Sequence, residues 1–391
     1  MTYLDHAATT PMLVESISAM NAELAQVGNP SSLHASGRRA RKVVEEGREL
    51  IAAALGARPI EIIFTGGGTE ANNLAVKGLF WSAQAKDKKK NRILVSAVEH
   101  HAVLDPVLWL GEHEGAVVEI LPVDTQGRVL PETLRKAFEK NPHDVALVTV
   151  MWANNEVGTV QPIEELVKIA HEFKTHFHSD AVQAVGCLEV HFENSGLDAM
   201  TVSGHKVGGP QGIGALVVKR DIELTPLLHG GGQERDVRSG TLAAPSIAGF
   251  AAAVSTAVVQ RTSRANRMTS LRNDLIKRVQ EQVPDVVFNG DPENRLPGNA
   301  HFSFKGCEGD ALLMLLDAQG IECSTGSACS AGIPQPSHVL LAMGRDEVTA
   351  RASLRFSFGS TSTPDDVDAV MQVLPAIVER AKRAGKPAVK K

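Results

Sequence analysis

The sequence predicts an α/β fold with a mostly parallel sheet, because apolar runs of strand length alternate with segments of helical length. The predicted strands are Glu61–Phe64, Arg92–Ser96, Val117–Leu121, Val145–Met151, His176–Asp180, Ala199–Ser203 and Gly214–Val218. The clearest helices between them are Glu70–Trp81, Pro131–Lys140 and Ile163–Phe173. Beyond residue 259 the pattern becomes a mixture of helices and short strands. A large α/β domain is therefore followed by a smaller α+β domain.

The domain limits are predicted from this change of pattern. Residues 14–259 form the large domain, and residues 1–13 together with 260–391 form the small domain. The apolar segment Leu242–Val259 is interrupted by Pro245 and several polar residues, which suits a buried helix better than a membrane span. Asn299–Phe304 and Ala352–Phe358 are predicted strands of the small domain.

Composition excludes several classes of protein. The 391 residues hold 40 Lys and Arg against 45 Asp and Glu, a net charge of −5, with only 12 Phe, 3 Trp and 1 Tyr. A weakly acidic, aromatic-poor chain is not expected to bind nucleic acid. The cysteines form neither a disulfide framework nor a zinc pattern, and Met1–Thr10 lacks the apolar run of a signal peptide. We expect a cytoplasmic protein without a membrane segment.

Polar clusters follow most of the predicted strands directly. These clusters are Thr65–Glu70, Glu99–His101, Asn154–Glu156, Asp180–Gln183 and Ser203–Lys206. Ligands of open α/β sheets bind beyond the carboxyl ends of the strands. We therefore expect the five clusters to converge on one pocket.

The glycine run Gly66–Gly68, followed by Thr69 and a helix, offers free backbone N–H groups and a hydroxyl to a phosphate. An ordinary glycine turn with Thr69 as the helix N-cap fits the same residues. The run is neither a P-loop nor a dinucleotide-binding fingerprint, since the spacing of both motifs is absent.

Lys206 lies on a loop after one predicted strand, and Asp180 ends another. Most lysines are solvated surface charges, and that alternative applies here too. However, a lysine amine, an acid for a pyridine nitrogen and a phosphate cup are the parts that a pyridoxal phosphate (PLP) site needs. His100 and His101 lie at the same rim, where either imidazole can stack on the ring, move protons or simply bond within its loop.

Several long motifs together resemble one known family. They are Tyr3–Thr10, Ala153–Gly158, Asp180–Gln183, Ser203–Lys206 with Gly209–Gly212, Arg238–Thr241, Ser324–Ser330 and Arg355–Gly359. In this order they are similar to the PLP-dependent cysteine desulfurases of the NifS/IscS group, over nearly the whole chain. The resemblance implies the fold of fold-type I PLP-dependent transferases.

The resemblance also implies roles for individual residues. The implied catalytic residues are Lys206, which carries the cofactor, Cys329, the nucleophile, and His100, which stacks on the ring. The implied cofactor-binding residues are Lys206, Asp180, Gln183, Asn155, Gly68, Thr69, Ser203, His205, Thr241 and His100. The implied substrate-binding residues are Arg355, Asn155 and Asn29.

The implied reaction converts L-cysteine to L-alanine and leaves a persulfide on Cys329, which the small, polar loop 324–336 carries. The sulfur then passes to an iron–sulfur scaffold or to a carrier for tRNA thiolation. A homodimer is implied, in which Thr241 completes the site of the second subunit. No resident metal is expected, although Cys329 is placed to contact an iron–sulfur cluster on a partner.

Three alternatives remain open at the level of sequence. The first is a selenocysteine lyase, and the second is another PLP enzyme of this fold, such as an aminotransferase or epimerase. The third is a sulfur-trafficking scaffold without chemistry, against which Lys206, Asp180, Cys329 and Arg355 argue together.

Overall fold

The computed structural model describes residues 1–326 and 335–384. Its strands are β1 (Thr2–Tyr3), β2 (Ile62–Thr65), β3 (Arg92–Ser96), β4 (Val117–Leu121), β5 (Val145–Thr149), β6 (His176–Asp180), β7 (Ala199–Ser203), β8 (Gly214–Val218), β9 (Val286–Asn289), β10 (Asn299–Phe304), β11 (Ile321–Glu322) and β12 (Ser353–Ser357). Its helices are α1 (Val14–Leu24), α2 (Ala35–Leu55), α3 (Gly68–Lys86), α4 (His101–Glu114), α5 (Pro131–Lys140), α6 (Ile163–Glu172), α7 (Phe192–Ser195), α8 (Ala244–Val259), α9 (Arg261–Gln282), α10 (Gly309–Asp317), α11 (His338–Ala342), α12 (Glu347–Arg351) and α13 (Pro364–Ala384).

The central sheet has seven strands in the order β2-β8-β7-β6-β5-β3-β4. The five strands from β7 to β4 run parallel, whereas β8 is antiparallel to both of its neighbours. The inner strands are buried on both faces, which explains their nearly continuous apolar sequences. The carboxyl ends of β3, β5, β6 and β7 consequently meet at one edge of the sheet.

A second, smaller sheet has the order β12-β10-β9, with every neighbouring pair antiparallel. A separate apolar core lies between this sheet and α9 and α13, and Phe302, Phe304 and Phe356 are its largest fully buried side chains. The N-terminal strand β1 pairs in parallel with β11. These contacts support a small domain built from both ends of the chain, and the exact domain limits stay a prediction.

The structure confirms the predicted α/β class and refines several elements. Five predicted strands of the central sheet agree with the structure at both ends. The other two differ. The strand predicted to begin at Glu61 begins at Ile62, since Glu61 closes a 3₁₀ turn, and the strand predicted to end at Met151 ends at Thr149. The polar residues 261–267 that follow α8 form the first turns of α9. No helix in the described ranges is both long and apolar enough to cross a membrane.

An unusual turn precedes the Arg238–Thr241 motif. Three consecutive residues, Glu234, Arg235 and Asp236, have φ angles of 49°, 59° and 60°. The buried carboxylate of Glu234 anchors the turn, because it accepts 2.9 Å and 2.6 Å hydrogen bonds from the guanidinium of Arg48 and a 2.7 Å bond from the N–H of Phe64. A left-handed backbone costs a residue with a side chain about 1–2 kcal/mol, so these contacts hold strained residues in place.

Asp236→Gly is expected to stabilise the protein by about 1 kcal/mol, because glycine adopts a φ of 60° without steric cost and the Asp236 side chain is exposed. The midpoint of urea unfolding should rise in Asp236→Gly and fall in the control Asp236→Ala. Equal midpoints in the three proteins would show that this turn stores no strain.

Candidate active site

The polar clusters that follow the strands line one cavity of about 330 Å³ between the sheet edge and the small domain. The predicted residues on its wall are Gly68, Thr69, His100, Asn155, Asp180, Gln183, Ser203, His205, Lys206 and Arg355. The predicted convergence on one pocket is therefore present. The volume lies within the range that small-molecule and cofactor sites occupy.

Asp180 is the last residue of β6 and is only 5% exposed. Its Oδ1 accepts a hydrogen bond from the N–H of Val182 at 2.9 Å, and its Oδ2 accepts one from Nδ2 of Asn72 at 2.6 Å. No salt bridge within the described ranges reaches Asp180. The carboxylate is thus fixed by two neutral donors.

Lys206 closes the short 3₁₀ turn that follows β7. Its ammonium donates to the backbone oxygens of Ala7 and Ala8, at 2.6 Å and 2.7 Å. Desolvation, assisted by the positive charge of Arg355, lowers the pKa of Lys206 to about 8, although Asp5 and Asp180 oppose the shift. A substantial fraction of Lys206 is consequently a neutral, nucleophilic amine near physiological pH.

His100 is the N-cap of α4, and its Nδ1 accepts a hydrogen bond from the N–H of Ala102 at 3.0 Å. Desolvation in the cavity is the main cause that lowers the pKa of His100. The imidazole is therefore neutral, with its proton on Nε2, and the cap fixes the orientation of its ring. Gln183, across the cavity, donates to the oxygen of Ala7 at 2.9 Å.

The glycine run forms a bare helix N-terminus. Gly67 is the N-cap of α3 and provides no side-chain cap, so Thr69 is inside the first turn and the predicted cap role of Thr69 is wrong. A Cβ at Gly68 would lie 3.2 Å from Val182 and 3.3 Å from Ser203, so only glycine leaves this space open. Desolvation lowers the pKa of nearby His205 to about 4. The free N–H groups of the first turn of α3 and the hydroxyls of Thr69 and Ser203 face this end of the cavity, and these are the donors that a phosphate requires.

Arg355 on β12 brings the small domain into the site. Its guanidinium donates to Oδ1 of Asp5 at 2.7 Å and to the backbone oxygen of Asn155 at 2.9 Å. Within the described part of the chain, its buried Nε has no hydrogen-bond partner. His301 lies directly opposite Arg355 in β10, and its buried Nε2 is likewise without a described partner. An amino-acid carboxylate at this wall would supply the missing acceptor.

Two predicted site residues lie away from the cavity, and a third is not among the described residues. Cys329 falls within 327–334, outside the described residues, although Ser324, Gly326 and His338 on either side line the cavity. Asn29 and Thr241 are exposed and do not line the cavity. The roles predicted for these three residues stay predictions.

The residues present fit PLP. The cavity offers a phosphate cup at the start of α3, an amine, and a buried carboxylate for the ring nitrogen. Oδ1 of Asn72 and Oε2 of Glu99 are buried without a partner among the described residues, as expected of a site built around a polar group. Lys206 would bind the aldehyde carbon, Asp180 the pyridine nitrogen, and Thr69 and Ser203 the phosphate.

Several wall residues were not predicted from sequence. Asn72 and the backbone oxygens of Ala7 and Ala8 contact predicted residues directly, and Asp5 pairs with Arg355. Asn72 could have been found, because it lies one helical turn after Gly68 and so shares its face of α3. The contact between Asp5 and Arg355 joins residues 350 positions apart, which no local pattern indicates.

The chain is similar over nearly its whole length to proteins of one family. The profile of the aminotransferase class-V family matches residues 2–370. An IscS-like cysteine desulfurase of Mycobacterium tuberculosis is 58% identical over 385 residues, covering 98% of each chain. A cysteine desulfurase IscS of Dictyoglomus turgidum is 45% identical, covering 97% of this chain and 95% of its own.

Solved structures show the same relationship. A NifS-like protein superposes with a TM-score of 0.89 at 34% identity, covering 97% of this chain and all of its own. The structure of SspA in complex with cysteine superposes with a TM-score of 0.78 at 33% identity, covering 93% of this chain and all of its own.

The fold, the cavity and these similarities define the class: the chain belongs to the aminotransferase class-V family, here of PLP-dependent enzymes. Within that family, it belongs to the cysteine desulfurases of the NifS/IscS group. The predicted family, fold class and cofactor are thereby confirmed.

The rate at which PLP attaches to the cofactor-free protein should rise with pH and level off above about 8, because only the neutral amine of Lys206 attacks the aldehyde. Below that pH the rate should fall about tenfold per unit, since the neutral fraction falls in that proportion. Stopped-flow absorbance measures the rate, with Lys206→Arg as the control that should not attach PLP. A midpoint near 10.5, the ordinary value for lysine, would contradict the assignment.

Proposed function

We propose that the protein removes the sulfur of L-cysteine, releases L-alanine, and holds the sulfur as a persulfide on Cys329 before an acceptor protein takes it. The observation that carries this proposal is the convergence of Lys206, Asp180 and Arg355 on one cavity. Those three side chains supply an amine, an acid and a carboxylate receptor, which are the groups that an amino-acid substrate needs. The similar SspA structure is a complex with cysteine, which supports cysteine as the substrate of this chain.

PLP, when bound, supplies an electron sink that stabilises negative charge at the α-carbon of an amino acid. Lys206, as a neutral amine, would remove the α-proton of the substrate, for which its lowered pKa prepares it. Asp180, held by the N–H groups of Val182 and Asn72, would accept a hydrogen bond from the ring nitrogen. His100, fixed by its N-cap bond, presents a neutral imidazole face.

Arg355 is the receptor for the substrate carboxylate. Asp5 and Asn155 take two of its five N–H donors, so others remain for a bidentate carboxylate without displacing either neighbour. Because Arg355 is only 4% exposed, water competes weakly for these bonds. The carboxylate thereby fixes the orientation of the α-carbon relative to Lys206.

Sulfur transfer completes the reaction. The thiolate of Cys329 attacks the substrate sulfur, a sulfur–sulfur bond forms, and the carbon–sulfur bond breaks with its electron pair going to the β-carbon. Protonation of that carbon gives alanine, so that one cysteine and one enzyme thiol become one alanine and one persulfide. The names of the relatives favour this reaction over the selenocysteine lyase alternative.

Cys329→Ala should reduce alanine release from L-cysteine at least 100-fold while the PLP absorbance persists, because only the nucleophile is lost. Lys206→Ala should lose both the absorbance of covalently attached PLP and turnover. The control Cys187→Ala should stay within about twofold of the wild type, because burial raises the pKa of that thiol to about 11 and keeps it unreactive. Alanine release by Cys329→Ala at the wild-type rate would overturn the role of Cys329.

We further propose a homodimer in which Thr241 serves the partner's site. Four apolar residues close together in sequence, Val14, Leu24, Val27 and Leu33, are 58–86% exposed in the single chain, and an interface would cover them. A second groove is lined by the neighbours of Asn29 and Thr241, namely Pro30, Ser31 and Leu242. Both residues thus lie together, away from the cavity of their own chain, which supports a contribution across an interface.

Mixed dimers test this arrangement. Lys206→Ala should form an inactive homodimer and Thr241→Ala a weakly active one, whereas dissociating and remixing them should restore about a quarter of wild-type activity. Half of the dimers then combine one intact Lys206 with Thr241 of the other chain, giving one complete site of two. If Thr241 acts within its own chain, mixing restores nothing, and analytical ultracentrifugation shows whether dimers exchanged.

The sulfur acceptor is proposed to be an iron–sulfur scaffold protein or a carrier for tRNA thiolation, in the cytoplasm. The names IscS and IscS-like of the relatives support the former. A reducing compartment suits a protein whose chemistry depends on a free thiol, and Cys187, Cys307 and Cys323 are also unpaired.

A further inference from the structure

We propose that Asn72 is a positioning residue of the reaction, whose side-chain amide holds the carboxylate of Asp180 in register with the phosphate cup. The inference rests on the proposed function and concerns a residue of α3 that has no assigned role. Asn72 is 1% exposed, lines the cavity, and donates from Nδ2 to Oδ2 of Asp180 at 2.6 Å. Its amide orientation follows from this contact, because an amide oxygen facing a carboxylate oxygen would be repelled.

The position of Asn72 on α3 allows its hydrogen bond to Asp180 to link that carboxylate to the phosphate cup. α3 begins at Gly68, and Asn72 lies one turn further on the same helix face. The first turn faces the phosphate cup, while Asn72 reaches the end of β6. One rigid helix therefore sets the distance between the groups that would hold the phosphate and the ring nitrogen.

Asp180 depends on this support because no cation is bonded to it within the described ranges. The titratable groups that face it are Glu99, His100 and Lys206, none of which hydrogen-bonds to its oxygens. Among the residues that the structure describes, only the N–H groups of Val182 and Asn72 do so. Charge-assisted hydrogen bonds are the stronger kind, so the loss of one of two bonds should weaken and reorient the carboxylate.

Glu99 is a second acid near Asp180, and the Asn72 amide is a donor that adds no further charge beside these two acids. Glu99 is fully buried, accepts one 2.6 Å bond from the N–H of Met151, and has its Oε2 unpartnered among described residues. Burial, together with the charge of Asp180, raises the pKa of Glu99 well above its ordinary value. The neutral form of Glu99 is therefore favoured by its surroundings.

The test uses the PLP-loaded protein and the variants Asn72→Ala and Asn72→Asp. For Asn72→Ala, we expect kcat for L-cysteine to fall about tenfold with KM within about threefold, because Asp180 acts on the ring rather than on substrate binding. The pH midpoint of the bound cofactor's absorbance should rise by about one unit, because a less firmly held ring proton withdraws less charge from the nitrogen of Lys206.

Asn72→Asp keeps the size of the side chain and replaces the neutral amide donor by a second carboxyl group beside Asp180, which perturbs that carboxylate, so it should shift kcat in the same direction even where Asn72→Ala folds poorly. The matched control is Asn73→Ala, since the adjacent amide donates only to the backbone oxygen of Thr69, and its absorbance midpoint should equal that of the wild type.

Absorbance midpoints equal to the wild type in both Asn72 variants would overturn the proposal, as would a loss confined to KM. The absorbance titration requires no cysteine. It therefore still tests Asn72 when the wild type releases no alanine, a result that would overturn the proposed function instead.

Discussion

The site depends on the contact that the N-terminal segment makes with two cations at once. Asp5 pairs with Arg355 of the small domain, while the backbone oxygens of Ala7 and Ala8 accept from Lys206 of the large domain. Without this segment, two positive groups would face each other across a partly dry cavity. Breaking a buried ion pair by removing one partner costs roughly 3–5 kcal/mol, so Asp5 ties Arg355 to one position.

The same contact balances the charges of the cavity. The positive groups Lys206 and Arg355 are opposed by Asp5 and Asp180, whereas burial raises the pKa of Glu99 and disfavours a further negative charge. An amino-acid substrate brings one charge of each sign and so preserves the balance. The lowered pKa of Lys206 has the same origin, since desolvation and Arg355 outweigh the two aspartates.

The sequence predicted the fold and much of the site wherever the information is local. Apolar runs located the central strands within about two residues, and strand-end polarity located Asp180, Lys206 and His100 on one cavity. The antiparallel direction of β8 was not predicted, because a strand sequence does not encode direction. Asp5 was missed for a related reason: its partner is 350 residues away, and only the closed fold brings the atoms together. Asn72 also has a distant partner, 108 residues away, but its place one helical turn after Gly68 is a local signal that was available.

Burial explains why the sulfur chemistry requires a cysteine outside the core. It raises the pKa of Cys187 to about 11 and that of Cys323 to about 12. At pH 8 the thiolate fraction is then about one part in a thousand for Cys187 and one in ten thousand for Cys323. Cys307 has a raised pKa too and is only 6% exposed. A thiol with an ordinary pKa near 8.5 has a thiolate fraction of about a quarter at that pH, an advantage of at least two orders of magnitude over Cys187 and Cys323.

Cys323 lies immediately before Ser324 of the cavity wall, yet its side chain packs into the core of the small domain. Proximity to the cavity is therefore not sufficient for reactivity: a core position silences a thiol, and the nucleophile proposed at Cys329 belongs to a different segment, whose described flanking residues line that cavity.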